Sequence, residues 1–264
     1  ELAAANSMMA ISAFGSTAVG FALSGLIASA LNIDWAFYLD SISFLFSASC
    51  IYVLQVQKRE VKGKTSVGVV VSNLKSGLRF LMKTPALRSI FALAFPVAIT
   101  IGLANSLLLP FATRALSATT FEYGLQEGLT SVGFVAASLL LAVFLNRWRE
   151  GQWMVVGLMG MGLSGIVYSQ LHSIALAIAV QVLSGFMNAP YSIARRLTMQ
   201  RNTNPDVRGR VASAFSVVTN AFFLVGMAAA GLADVIDVRW MIVIASLILV
   251  GVGIYSQFLP GIGL

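Results

Sequence analysis

Charge is scarce in this chain: Asp, Glu, Lys and Arg make up 10% of 264 residues, against 58% hydrophobic residues and a mean hydropathy of +0.87. A soluble domain carries about a quarter of its residues charged. The shortage excludes a water-soluble globule and points to an all-α, polytopic membrane protein. Cysteine and histidine are nearly absent too. Cys50 alone forms neither an internal disulfide nor a Cys-cluster metal site, and the single His172 leaves no histidine pair for a metal. No metal, cofactor or catalytic residue is expected, and the chain is not read as an enzyme. A net charge of +7 would suit nucleic acid only on the face of a soluble fold; here the cations sit between apolar runs, so nucleic acid is not a partner. The stretch "VKGKTS" lacks the first glycine of a phosphate loop, because Lys58 occupies its position.

What the sequence has in abundance is span-length apolar runs. Eight can be read, at roughly 8–30, 35–56, 89–113, 122–145, 152–171, 173–195, 211–233 and 239–259. Pro96, Pro110 and Pro190 fall inside them and are compatible with spanning helices, where neighbours re-satisfy the backbone. Fifteen of the 17 Lys and Arg residues lie in alternate loops, and only Arg114 and Arg239 fall on the other side. The positive-inside rule makes those loops and both chain ends cytoplasmic.

An internal echo refines the organisation. "GFALSGLIASALNIDW" and "GMAAAGLADVIDVRW" share Gly-x4-Gly-Leu, an acidic turn and a Trp opening the next span, with Gly20 matching Gly226 and Gly25 matching Gly231. Spans one and two thereby repeat spans seven and eight. The expected organisation is the last two helices of an N-terminal six-helix half at 1–57, a cytoplasmic linker at 58–88 and a complete six-helix half at 89–264. Four preceding spans are expected to be missing, leaving an orphan helix pair beside one closed six-helix bundle. In the linker, Leu74, Leu78, Leu81 and Met82 recur at helical spacing while Lys75, Arg79 and Lys83 stand four apart on another face. That pattern predicts a helix near 73–83 lying on the inner leaflet, held by its apolar side and by anionic headgroups. Thr84 and Pro85 suit the N-cap and first position of the next span.

Several stretches resemble the major facilitator superfamily, in particular the bacterial branch of macrolide-efflux proteins and the enterobactin exporter. They are "LAAANSMM" opening a span, "AFYLDSISFLFSA" in the next, and "NPDVRGRVASAF" entering the penultimate one. The family's Gly-x3-Asp-Arg/Lys-x-Gly-Arg loop is reduced here to "NRWREG", with Asn146 in the Asp position, and Phe21 follows Gly20 where the antiporter motif has proline. The resemblance implies two six-helix bundles rocking about a central cavity in a bacterial inner membrane. It further implies a monomeric secondary exporter of small hydrophobic or amphipathic compounds, of drug or siderophore type, coupled to protons. The alternatives are a lipid or lysolipid transporter of the same fold, and a non-transporting subunit or scaffold.

The residues themselves supply candidates. Asp40 and Glu127 lie at similar depth within spans, where an acid costs about 3 kcal/mol unless it is partnered or hydrated. Either could carry protons; the other readings are a hydrated interfacial acid, or a Glu127–Arg114 pair locking the outer ends. Asn105, Gln126, Asn188, Tyr191 and Asn220 are candidates for orienting a substrate in an apolar cavity, or for bonding between helices. Arg147, Arg149, Glu150, Asp206, Arg208 and Arg210 form candidate cytoplasmic gating loops. The glycines of "GLQEGLTSVG" and "GLMGMGLSGIVYS" are read chiefly as sites of close helix packing.

Overall fold

A computed structural model describes residues 2–31, 34–53, 66–144 and 147–260. Among the described residues there is no strand. The helices are α1 (Leu2–Ala30), α2 (Asp34–Val53), α3 (Val67–Lys83), α4 (Pro85–Pro110), α5 (Thr120–Phe144), α6 (Glu150–Gln170), α7 (Ile174–Arg201), α8 (Pro205–Ala229) and α9 (Val238–Ser256). Seven of them, α2 and α4 to α9, are long and apolar enough to cross a membrane, and α1 holds a shorter apolar stretch, Ser12–Ile27. The chain is a multi-pass membrane protein. Lys58, Arg59, Lys62, Lys64 and Asn146 lie outside the described residues, as does the boundary between residues 57 and 58.

Helix ends follow local chemistry more closely than hydropathy. Helices α7 and α8 run past their apolar stretches to Arg201 and from Pro205, because the backbone ladder continues through charged side chains that reach water. Thr119 and Glu122 make a reciprocal N-terminal box for α5. The Thr119 backbone N–H donates to Glu122 Oε2 at 2.7 Å, and the Glu122 N–H donates back to Thr119 Oγ1 at 3.2 Å. Asp237 caps α9 by accepting from the Arg239 N–H at 2.7 Å. Thr84 ends α3 and begins α4, with Pro85 in the first turn, although its hydroxyl makes no capping bond. After Pro110 the chain widens into a π-helical turn, Phe111–Ala115, closed by a 3.2 Å bond from the Leu116 N–H to the Phe111 carbonyl. Trp35 and Trp240, at the starts of α2 and α9, are exposed, as residues of an interfacial belt are.

Helices α4 to α9 pack in the spatial order α8, α4, α9, α6, α7, α5. Among the described residues, α5 and α8, the two ends of this series, share no principal contact, so the six helices pack as an arc. Helix α1 extends it, running antiparallel along α5: Gly25 meets Gly124 near one end, and the Phe14 and Phe134 rings stack with centroids 3.6 Å apart further along. Helix α2 touches the rest mainly through α1 and buries none of its described residues.

Glycine sets close approach at several crossings, two of which are reciprocal. A Cβ on Gly102 would overlap the Phe223 carbonyl oxygen, and one on Gly226 would overlap that of Ile99, so α4 and α8 touch backbone to backbone. Gly133 and Gly185 have the same reciprocal relation between α5 and α7, against Val182 and Thr130. The repeated glycines do not share a role: Gly226 and Gly25 are in contact, whereas Gly20 and Gly231 stand in open space.

Helix α3 departs from expectation in what its apolar side covers. Gly77 and Leu81 are buried, and Leu74, Leu78 and Phe80 pack on a core that includes Phe91, Val211, Ala214 and Phe215. The stripe is docked on α4 and α8, where protein rather than lipid supplies the apolar partner; Gly77 lets it lie directly on the Arg210 carbonyl. Leu78→Glu is therefore expected to undock α3 from the bundle. Amide exchange across 70–83 should rise toward that of an unprotected helix, and unchanged protection would refute this docking role.

Candidate functional site

The ends of the arc differ in charge. The basic end carries α3, Arg147 and Arg149 before α6, and the α7–α8 turn; the far end carries the Thr119/Glu122 and Asp237 caps. Between them lies a cavity of about 350 Å³ lined by α1, α4, α5, α6, α7 and α9. Its apolar wall includes Phe14 and Phe21 of α1, Ile101 and Leu108 of α4, Met161 of α6, and Ile242 and Leu249 of α9.

Hydrogen-bonding groups are set into this wall, and Glu127 is its one charged lining residue. Glu127 arrives on α5 one and a half turns past Glu122; Glu122 is consumed by the helix cap, while Glu127 faces inward. Its Oε1 is buried with no hydrogen-bond partner, as is Thr100 Oγ1 on α4 across the cavity. An unpartnered carboxylate oxygen in an apolar enclosure is costly, so it favours whichever proton, water or cationic group can reach it. No Glu127–Arg114 ion pair forms; Arg114 lies exposed in the π-helical turn.

Of the other substrate candidates, Asn105 and Asn188 line the cavity. Ser192 donates to Asn188 Oδ1 at 2.9 Å, which orients that amide. Gln126 is fully buried behind the wall and accepts from the Tyr168 hydroxyl at 3.2 Å, tying α5 to α6. Tyr191 lies instead in the core at the basic end, its ring 5.6 Å from the Arg195 guanidinium, which also covers the Phe215 ring at 5.2 Å. Asn220 is exposed on α8, which contributes no lining residue. Asp40 is exposed on α2, outside the cavity.

The sequence reading missed Thr100, Ser131, Tyr168, Gln181 and Ser246, all of which line the cavity. Tyr168 and Gln181 carried a usable signal, a polar side chain within a span. The hydroxyl residues did not, because Ser and Thr inside apolar helices commonly bond to their own backbone: Ser131 Oγ donates to the Glu127 carbonyl at 3.2 Å and Ser246 Oγ to that of Ile242 at 2.7 Å.

At the basic end the loop candidates act mainly as clasps. Arg201 at the end of α7 pairs with Glu150 at the start of α6. The Arg208 guanidinium donates to the Gln200 carbonyl at 3.2 Å, drawing the start of α8 onto the end of α7. The Arg149 N–H donates to Gln152 Oε1 at 3.0 Å in the α6 cap, and the Arg147 guanidinium stands 5.0 Å over the Phe144 ring. Asp206 and Arg210 are exposed in the first turns of α8. Half of the Arg201 side chain is exposed, so a double-mutant cycle on Glu150 and Arg201 is expected to return a coupling of about 1 kcal/mol or less. A larger coupling would mark the clasp as a principal lock.

The far end has a clasp that hydropathy could not reveal. The Arg239 guanidinium donates to the Ser169 and Leu171 carbonyls at 2.5 and 2.9 Å and lies 5.1 Å over the Phe111 ring. One cation thereby caps α6 and joins it to α9 and the end of α4.

Spanning helices arranged around a cavity with hydrogen-bonding walls and one acid suit a membrane transporter. Residues 90–260 match the Major Facilitator Superfamily, and the chain belongs to that family of membrane transporters. The matched residues run from the first turns of α4 past the end of α9; α1, α2 and α3 lie before them. Among curated proteins nothing matches the chain.

Proposed function

We propose that this protein is a secondary active exporter of small hydrophobic or amphipathic compounds, coupled to protons through Glu127. The observation that carries the reading is the lone carboxylate, Oε1 buried and unpartnered, in a 350 Å³ cavity whose remaining lining is apolar or neutral and hydrogen-bonding. Such a lining accepts greasy cargo with few polar groups and leaves Glu127 as the group that distinguishes a proton from a cargo molecule. Alternating access would make the carboxylate exchange its proton with one side and meet cargo from the other. The basic end is assigned to the cytoplasm of a bacterial inner membrane by its Lys and Arg residues. Glu150, Arg201 and Arg208 then hold the cytoplasmic helix ends together.

Everted membrane vesicles from expressing cells test this. An amphipathic fluorescent dye should accumulate when a pH gradient is imposed and leak out when a protonophore collapses it. Dependence on ATP instead would favour a subunit energised by a partner. Movement of a labelled lysolipid with no movement of the dye would favour a lipid transporter. Neither movement would overturn the reading.

A further inference from the structure

Helix α3 has two opposite stripes, and the docked one leaves the other unexplained. Ser72, Lys75, Ser76, Arg79 and Lys83 recur at three- and four-residue spacing, opposite Leu74, Gly77 and Leu81, and line a groove of about 470 Å³ along the exposed side. Three cations share this groove. None pairs with a carboxylate among the described residues, and α3 itself contains no acid. The helix also begins with an exposed apolar turn: Val67, Val70 and Val71 are each more than half exposed. Gly77 and Leu81 bind α3 to the basic-end portions of α4 and α8, so the groove is held beside the charged first turns of α8, which carry Asp206, Arg208 and Arg210. An apolar first turn followed along the same helix by clustered cations suits a surface where acyl chains and phosphates adjoin.

We propose that this groove is a binding site for the headgroup of an anionic phospholipid in the leaflet at the basic end. Lys75, Arg79 and Lys83 would pair with the phosphate, Ser72 would donate a hydroxyl hydrogen bond to its oxygens, and the valine turn would lie among the acyl chains. The Ser76 hydroxyl donates to the Asn73 carbonyl at 2.8 Å and is not one of the donors. The docked stripe makes the site consequential, since lipid bound to α3 is joined through Gly77 to α8 at Arg210. This assignment does not depend on the exporter reading, because it is tested by lipid composition rather than transport.

The test reconstitutes the protein in vesicles of phosphatidylcholine with a minority of phosphatidylglycerol, extracts it with its lipid annulus in polymer nanodiscs, and measures the ratio of the two lipids. Wild type should be enriched in phosphatidylglycerol over the bulk. Lys75→Gln/Arg79→Gln should lower the apparent affinity about tenfold and remove most of the enrichment, while Arg147→Gln/Arg149→Gln, an equal loss of charge before α6 at the basic end, should retain it. Should the double variant fail to insert, Ser72→Asp, which places a carboxylate in the groove without removing a cation, must give the same loss. Equal enrichment in wild type and groove variants, or none in wild type, would overturn the proposal. Displacement of phosphatidylglycerol by an equal concentration of inorganic phosphate would assign the groove to free phosphate instead.

Discussion

Glu127→Gln is expected to leave a folded protein whose gradient-driven dye export falls to the level of vesicles without it. The amide keeps the size and hydrogen-bonding capacity of the side chain but cannot take up and release a proton at Oε1, a buried, unpartnered atom of the cavity. Glu127→Asp retains the carboxyl on a shorter arm and should restore part of the flux. Asp40→Asn should have little effect, since Asp40 is exposed on a helix with no buried described residues and lies outside the cavity. Measuring export against the imposed pH difference for the three variants distinguishes coupling from binding. Normal gradient-driven export by Glu127→Gln would remove this acid from the mechanism.

Gly185→Ala and Gly226→Ala should both be strongly disruptive. In each case the new Cβ overlaps a carbonyl oxygen of the facing helix, Thr130 for Gly185 and Ile99 for Gly226, and a backbone cannot rotate away as a side chain can. Overpacking of this kind costs at least the upper part of the usual ~1–3 kcal/mol range and forces α5 from α7, or α4 from α8. Gly251→Ala is the matched control: nothing lies within 4 Å of its Cβ position, and the gain in helix propensity, up to about 1 kcal/mol, should leave stability unchanged or slightly raised. Thermal unfolding in detergent compares them directly. If Gly185→Ala unfolds at the same temperature as Gly251→Ala, the close crossing does not set stability.

Much of the protein was legible before any coordinates. Hydropathy and length marked the membrane class and nearly every span, because each spanning helix satisfies its own backbone and advertises itself by local composition. The start of α4 was legible at Pro85, which suits a first helical turn, although Thr84 before it makes no side-chain capping bond. Glu127 stood out because an acid within a span is costly wherever its helix turns.

The tertiary structure decided which side of each span faces what. In a bilayer both lipid and protein neighbours are apolar, so the helical period that sorts core from surface in a soluble fold carries little information here. This is why Asn105 and Asn188 reach the cavity while Asn220 on α8 remains outside it and Tyr191 is buried in the core near Arg195. It is also why Tyr168 could be assigned to the cavity only once α6 was placed against α7 and α9. Helix α3 marks the same boundary from the other direction: its sequence determined an apolar stripe and a basic stripe. Only the packing of Gly77 and Leu81 onto α8 and α4 decided that the apolar stripe meets protein, because a leucine face is equally satisfied by a lipid chain or a neighbouring helix.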